Sequence, residues 1–211
     1  ARVSAESLFN RAWYGKSKWT YLFLPVYSLV KRLVRQKREP YLAKAAGPRQ
    51  FDVPVIVVGN ITVGGTGKSP MVLALIKELK QAGYHPGVVS RGYGVSAAKA
   101  MQVTPDSLAS DCGDEPVMLA RRAKCPLVIC QNRVEAISLL LKDPSVDLVI
   151  SDDGMQHYAM QRDIEFLMLD ENRGLGNGKL LPIGPLREPA SRIEQVDFVV
   201  SLISGEMAIN G

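Results

Sequence analysis

The run Val53-Pro-Val-Ile-Val-Val58 passes directly into Gly59-Asn-Ile-Thr-Val-Gly-Gly-Thr-Gly-Lys-Ser69, and this junction leaves the chain few folds to choose from. The apolar, β-branched run reads as a buried strand, and Pro70–Ala82 carries helical patterning. A glycine-rich turn between strand and helix is the setting in which a phosphate-binding P-loop forms. Gly64, Gly65 and Gly67 let the backbone turn tightly with its N–H groups inward. Together with Thr66 and the N-terminus of the next helix they make a cradle for the phosphates of a nucleotide such as ATP. Lys68 is then placed to bridge the two terminal phosphates, and Ser69 to set its hydroxyl on Mg²⁺. Pro70 is tolerated because the first helical turn has no intrahelical use for its N–H. The strict pattern would have glycine where Thr62 stands, so the loop is a variant. A glycine-rich turn without a ligand is the competing reading, and the strand–loop–helix order weighs against it.

Further short apolar runs follow at Gly87–Ser90, Pro126–Cys130, Val146–Ile150, Ile164–Leu169 and Val196–Val200. Helical patterns lie at Glu115–Ala123 and Arg133–Lys142 between them. This alternation predicts an α/β fold: a P-loop NTPase-like, mostly parallel sheet flanked by helices.

Val146-Asp-Leu-Val-Ile-Ser-Asp-Asp-Gly154 is a strand ending in two carboxylates. At the carboxyl edge of a parallel sheet such a pair faces the same crevice as the P-loop, so Asp152 and Asp153 are candidates for the metal. A plain Asp-Asp-Gly turn is the alternative. Gly113-Asp-Glu-Pro116 opens another helix, and Asp114 is either its N-cap or a general base for an alcohol. Ser90-Arg-Gly-Tyr-Gly94 reads as a tight loop in which Arg91 can meet an anion. His157 is read as structural.

The net charge of +5 is uneven. Residues 1–50 hold eleven basic and two acidic side chains, a balance of +9, so the rest of the chain carries −4. A basic arm on a mildly acidic body calls for an anionic partner: a phospholipid surface, an acidic lipid or nucleic acid. Within the arm, Trp19-Thr-Tyr-Leu-Phe-Leu-Pro-Val-Tyr-Ser-Leu-Val30 is apolar and aromatic, with Lys16, Lys18, Lys31, Arg32 and Arg35 around it. It is short for a bilayer span and lacks a small-residue cleavage site, so neither a transmembrane helix nor a signal peptide is expected. A helix lying in the headgroup region suits the pattern, kinked at Pro25; a soluble helix packed on the body is the alternative. Pro40, Gly47 and Pro48 read as breakers that end the arm. The expected division is therefore an arm over 1–50 and a nucleotide-binding core over 51–211. Cys112, Cys125 and Cys130 show neither disulfide nor zinc spacing.

Taken in order, Val57–Pro70, Ser90–Gly94, Gly113–Pro116, Asp152–Tyr158 and Gly176-Asn-Gly-Lys-Leu-Leu-Pro-Ile-Gly-Pro-Leu-Arg-Glu-Pro189 resemble the tetraacyldisaccharide 4'-kinase family, which phosphorylates a lipid A precursor. The last stretch is the most specific, and Thr62 is in keeping with the family. The resemblance implies ATP and Mg²⁺ as reactants and an acylated disaccharide phosphate as acceptor. It implies an anionic membrane rather than nucleic acid as the surface met by the arm, at the cytoplasmic face of the bacterial inner membrane. It implies nucleotide contacts at Lys68 and Ser69, metal contacts at Asp152 and Asp153, and Asp114 as the catalytic carboxylate. It suggests substrate contacts at Arg91, Tyr93, Glu115 and Arg187. It also implies a further C-terminal region with a histidine assisting the catalytic Asp; the sequence ends at Gly211 before it. Two other readings stand beside the kinase: a membrane-bound regulatory P-loop NTPase, and a nucleotide-binding fragment of weak activity.

Overall fold

A computed structural model describes residues 5–42, 47–92, 99–203 and 206–210. Contacts divide the chain into two compact units, each discontinuous in sequence. One comprises residues 48–59 and 67–166; the other comprises 1–47, 60–66 and 167–211. Residues 1–47 cluster with the C-terminal segment and with part of the P-loop rather than by themselves.

The unit holding 67–166 is built on strands β1 (Val55–Gly59), β2 (Pro86–Ser90), β3 (Met101–Val103), β4 (Leu127–Ile129) and β5 (Leu148–Asp152). They lie in the order β3-β4-β2-β5-β1, followed by the start of β6 (Ile164–Asp170). The pairs β1–β5, β2–β5 and β2–β4 are parallel. The expected mostly parallel sheet is therefore present. Every residue of β1, β2, β4 and β5 is buried, which is why these strands read as continuous apolar runs rather than alternating ones. Helices α3 (Lys68–Gln81), α5 (Asp114–Ala123) and α6 (Arg133–Leu140) pack on the sheet, with Met71, Val72 and Ile76 of α3 and Ala136, Ile137 and Leu140 of α6 turned inward. A four-residue helix, α4 (Ala109–Cys112), precedes α5. Sequence patterning missed α4 and β3; β3 pairs antiparallel with β4 at the sheet edge and is too short to show a period.

The register sets the function. Val58 of β1 aligns with Asp152 of β5, and Val89 of β2 aligns with Ser151. The carboxyl ends of β1, β5 and β2 thus finish level, bringing the loops that follow them to one edge.

The other unit contains α1 (Ala5–Trp13), a 3-10 turn (Trp19–Phe23), α2 (Leu24–Leu42), the end of β6, a second 3-10 turn (Ala190–Gln195) and the antiparallel pair β7 (Phe198–Ile203) and β8 (Glu206–Asn210). Phe9 stands between Trp13 and Trp19, with ring centroids 5.1 and 4.9 Å away. The segment 176–189 is stitched to this aromatic cluster. Trp13 Nε1 donates to the Pro182 carbonyl and Thr20 Oγ1 to the Ile183 carbonyl, each at 3.0 Å. The expected kink at Pro25 is replaced by a helix start: α2 begins at Leu24, so Pro25 occupies the first turn, where its missing N–H breaks no bond. Pro40 does not end the helix either; α2 runs on to Leu42.

Candidate functional site

The P-loop gains its shape from both chain neighbours and distant segments. Asn60 is fully buried, and its Nδ2 donates to Thr66 Oγ1 at 2.7 Å and to the Gly64 carbonyl at 3.4 Å, stapling the loop across its width. Thr62 forms an antiparallel bridge with Leu186 and is 4% exposed. Among non-glycine residues, positive φ occurs only at Lys124 and Asp153 of those described, so Thr62 sits in ordinary backbone space and no glycine is needed there. Val63 N–H donates to the Pro185 carbonyl at 2.9 Å and Arg187 N–H to the Ile61 carbonyl at 2.7 Å. Arg187 Nη2 adds a bond to the Asn60 carbonyl at 2.9 Å. The Gly176–Pro189 stretch therefore braces the P-loop, and Arg187, expected at the substrate, gives one of its terminal nitrogens to the loop backbone. Asn60 and the bracing role were missed; an Asn beside a glycine run was the available signal.

Gly67, at φ +73°, precedes α3 and contributes no side-chain cap, so the first amides of α3 are left to a ligand. Lys68 Nζ lies 3.7 Å from Asp153 Oδ1. Ser69 Oγ donates to Glu115 Oε1 at 2.5 Å. Glu115 is thus placed on the residue expected to serve the metal. Asp114 stands beside it as the first residue of α5 and is exposed. The capping reading of Asp114 is corrected here: Gly113 is the N-cap residue, at φ +88°, and no side chain caps the helix.

Asp152 closes the group. It is 4% exposed; its Oδ2 accepts from Ser90 Oγ at 3.3 Å, and its Oδ1 has no hydrogen-bond partner. Burial pushes its carboxyl up from 3.8 to about 6, and the charges of Glu115 and Asp153 push the same way against Lys68 and Arg133. Asp153 holds a left-handed backbone, φ +50°, a conformation uncommon outside glycine that Asn and Asp adopt more readily than other residues. Beneath them Arg133 is 1% exposed, donating to the carbonyls of Cys130 at 2.6 Å and Asp152 at 3.1 Å. Burial lowers its guanidinium to about 10. Arg133 escaped sequence reasoning because nothing local marks a helix-start arginine as buried. Arg91 is exposed and close enough to Arg133 to repel it. Tyr93 lies outside the described residues.

The oxygens of Ser69, Glu115, Asp152 and Asp153 suit Mg²⁺, which takes one or two carboxylates and completes its shell with phosphate and water. Among the described residues no three His, Cys, Asp or Glu side chains form a metal cage of their own. The unpartnered, buried Oδ1 of Asp152 fits a cation, which would also relieve the mutual repulsion of the carboxylates.

Known proteins resemble this chain in sequence and in fold. The family model for tetraacyldisaccharide-1-P 4'-kinase (LpxK) matches residues 19–210. The tetraacyldisaccharide 4'-kinase of Methylobacillus flagellatus is 48% identical over 90% of this chain and 57% of its own length. That of Tolumonas auensis is 49% identical over 92% of this chain and 60% of its own. The chain thus spans somewhat over half the length of these curated relatives. A crystal structure of LpxK from Aquifex aeolicus in complex with ATP superposes with a TM-score of 0.80 at 29% identity, covering 91% of this chain and 62% of that one. With its P-loop, its paired aspartates and its bracing Gly176–Pro189 stretch all falling inside these matches, the chain belongs to the tetraacyldisaccharide-1-P 4'-kinase family.

Proposed function

We propose that this chain carries the nucleotide-binding half of an ATP-dependent kinase that phosphorylates the 4'-hydroxyl of a tetraacyldisaccharide 1-phosphate, giving lipid IVA. The supporting observation is the meeting of Lys68, Ser69, Glu115, Asp152 and Asp153 at the level carboxyl ends of β1 and β5. The P-loop amides and Lys68 hold and orient the terminal phosphates. Ser69, Asp152 and Asp153 would hold Mg²⁺, which offsets charge on the transferring group when bound. Asp114 accepts the proton of the sugar hydroxyl as its oxygen bonds to the γ-phosphorus. The bond from that phosphorus to the β–γ bridging oxygen breaks, and ADP leaves.

The acceptor is an amphiphile, and the arm is suited to reach it at the cytoplasmic face of the inner membrane. Leu22, Val26, Leu29 and Leu33 recur at helical spacing and are 81%, 48%, 56% and 54% exposed, an apolar stripe beside Lys31, Arg32 and Arg35. Each such cation near an anionic leaflet contributes about 1 kcal/mol. A cleft of about 350 Å³ between α2 and residues 178–190 is lined by Tyr27, Val34 and Leu180, with Lys31 and Arg35 at its rim. No described helix is long and apolar enough to cross a membrane.

The deciding assay supplies Mg²⁺ and γ-labelled ATP with the acylated disaccharide 1-phosphate in mixed micelles. Label should appear on the lipid and vanish in Lys68→Ala. ATP turnover indifferent to the acceptor, with no labelled lipid, would favour a regulatory NTPase instead.

A further inference from the structure

One cation stands at the phosphate loop without a place in the scheme above. Arg173 Nη1 lies 3.1 Å from the position a Cβ would take on Gly64. Gly64 has φ +113° and is exposed in the middle of the loop, so its backbone reserves the position for glycine and the guanidinium lies directly against it. Arg173 is held to this spot from behind. It follows β6 in a turn where Asp170 Oδ1 accepts from the N–H groups of Asn172 and Arg173 at 3.0 and 3.3 Å. Asp170 Oδ2 faces the Nε edge of Arg173 at 3.6 Å, and the Tyr14 ring lies 6.0 Å from its Cζ. Of the terminal nitrogens, Nη1 is the one that reaches the Gly64 position. Among the described residues they make no hydrogen bond, and the side chain is 47% exposed. An arginine kept for structure alone would lay its fork on a carboxylate; this one is anchored by its inner edge and offers the fork at the loop.

A planar fork of N–H donors matches two oxygens of a phosphate, and the mid-loop glycines of a P-loop wrap the terminal phosphates. We infer that Arg173 binds the γ-phosphate of the nucleotide and offsets its charge during transfer, an arginine supplied in cis by the turn after β6. The inference rests on the nucleotide reading proposed above. Asp170 keeps the cation aimed, and the Tyr14 ring faces its guanidinium.

Calorimetric titration of the full chain with Mg²⁺ plus an ATP analogue blocked at the β–γ bridge, and separately with Mg²⁺ plus ADP, tests it. Arg173→Ala should weaken the triphosphate by about tenfold or more and change ADP by less than about twofold, because only the former has a γ-phosphate to lose a charge-assisted pair. Arg173→Lys keeps the charge without the fork and should fall between; it also serves if the alanine variant fails to fold. Equal weakening of both nucleotides would make Arg173 a prop for the loop and overturn the inference, as would no weakening of either. Wild-type protein that binds neither nucleotide would refute the ATP reading itself, a failure distinct from that of Arg173.

Discussion

Asp152→Asn should raise the stability of the metal-free protein while abolishing its response to Mg²⁺. The Asp152 carboxyl is raised from 3.8 to about 6, chiefly by burial and then by Glu115 and Asp153. A folded-state value above the unfolded one means that the native protein holds its proton more tightly. Ionisation at neutral pH therefore works against folding, and stability is regained as pH falls from about 6 towards 4. The gap corresponds to about 3 kcal/mol at pH 8. The neutral amide keeps an acceptor for Ser90 Oγ and removes that opposition. For a chain of this size the gain is about 6–12 °C in melting temperature. The difference should shrink to about half at pH 5, where the wild-type carboxyl is mostly protonated. Thermal unfolding followed by circular dichroism at pH 8 and pH 5, with chelator, measures both values. Adding Mg²⁺ with ADP should then raise the wild-type midpoint and leave the variant unmoved, since binding to the native state alone stabilises it. A variant that melts below wild type at pH 8, or a difference unaffected by pH, would show that burial and carboxylate repulsion are not what govern this group.

Lys68→Ala should reduce phosphoryl transfer on the order of a thousandfold with an unchanged circular dichroism spectrum, because positioning and charge carry most of the acceleration; undiminished lipid labelling would refute the P-loop assignment. Asp114→Asn should lower kcat far more than it raises KM for ATP, and should leave the melting temperature within about 2 °C, since Gly113 rather than Asp114 is the N-cap residue; normal turnover would remove Asp114 from catalysis. Replacing Leu29 and Leu33 together by Glu should weaken sedimentation with anionic vesicles, and equal binding would place the membrane contact elsewhere. Gly59→Ala should destabilise by about 1–3 kcal/mol in urea unfolding, because its Cβ would fall 2.4 Å from Met155 Cγ in a packed interior.

Local pattern carried the strands and the chemistry that neighbours in sequence can display. β1, β5 and α3 lie where apolar runs and helical spacing put them, because fully buried parallel strands and an N-terminal P-loop leave strong signals in composition. Lys68, Ser69, Asp152 and Asp153 were legible for the same reason. What escaped depends on partners far along the chain. Arg187 bonds a carbonyl at Asn60, and Arg133 lies beneath Asp152; neither pairing has a period or a spacing that a single sequence reveals. β3 was lost to brevity, and the cap at Gly113 to the ordinary preference of helices for Asp in that place. Only the resemblance singled out Gly176–Pro189, and its physical meaning emerged with the bonds to Ile61 and Val63.

The beginnings of the three longer helices on the sheet differ in a way that bears on engineering. Asn132 closes α6 by accepting from the amides of Val134 and Glu135, whereas α3 and α5 start on glycines that close nothing. Glycine at an N-cap forgoes only a few tenths of a kcal/mol relative to Ser, Thr, Asn or Asp, and the positive φ of Gly67 and Gly113, +73° and +88°, strains any L side chain placed at either start. Screens that select thermostable variants should accordingly find few gains by substitution at these two starts, because a capping side chain there would hold a strained backbone. Stabilising changes on the exposed face of α6, beyond Arg133, meet no such strain and touch no residue of the site, which makes them the safer ground for hardening the protein.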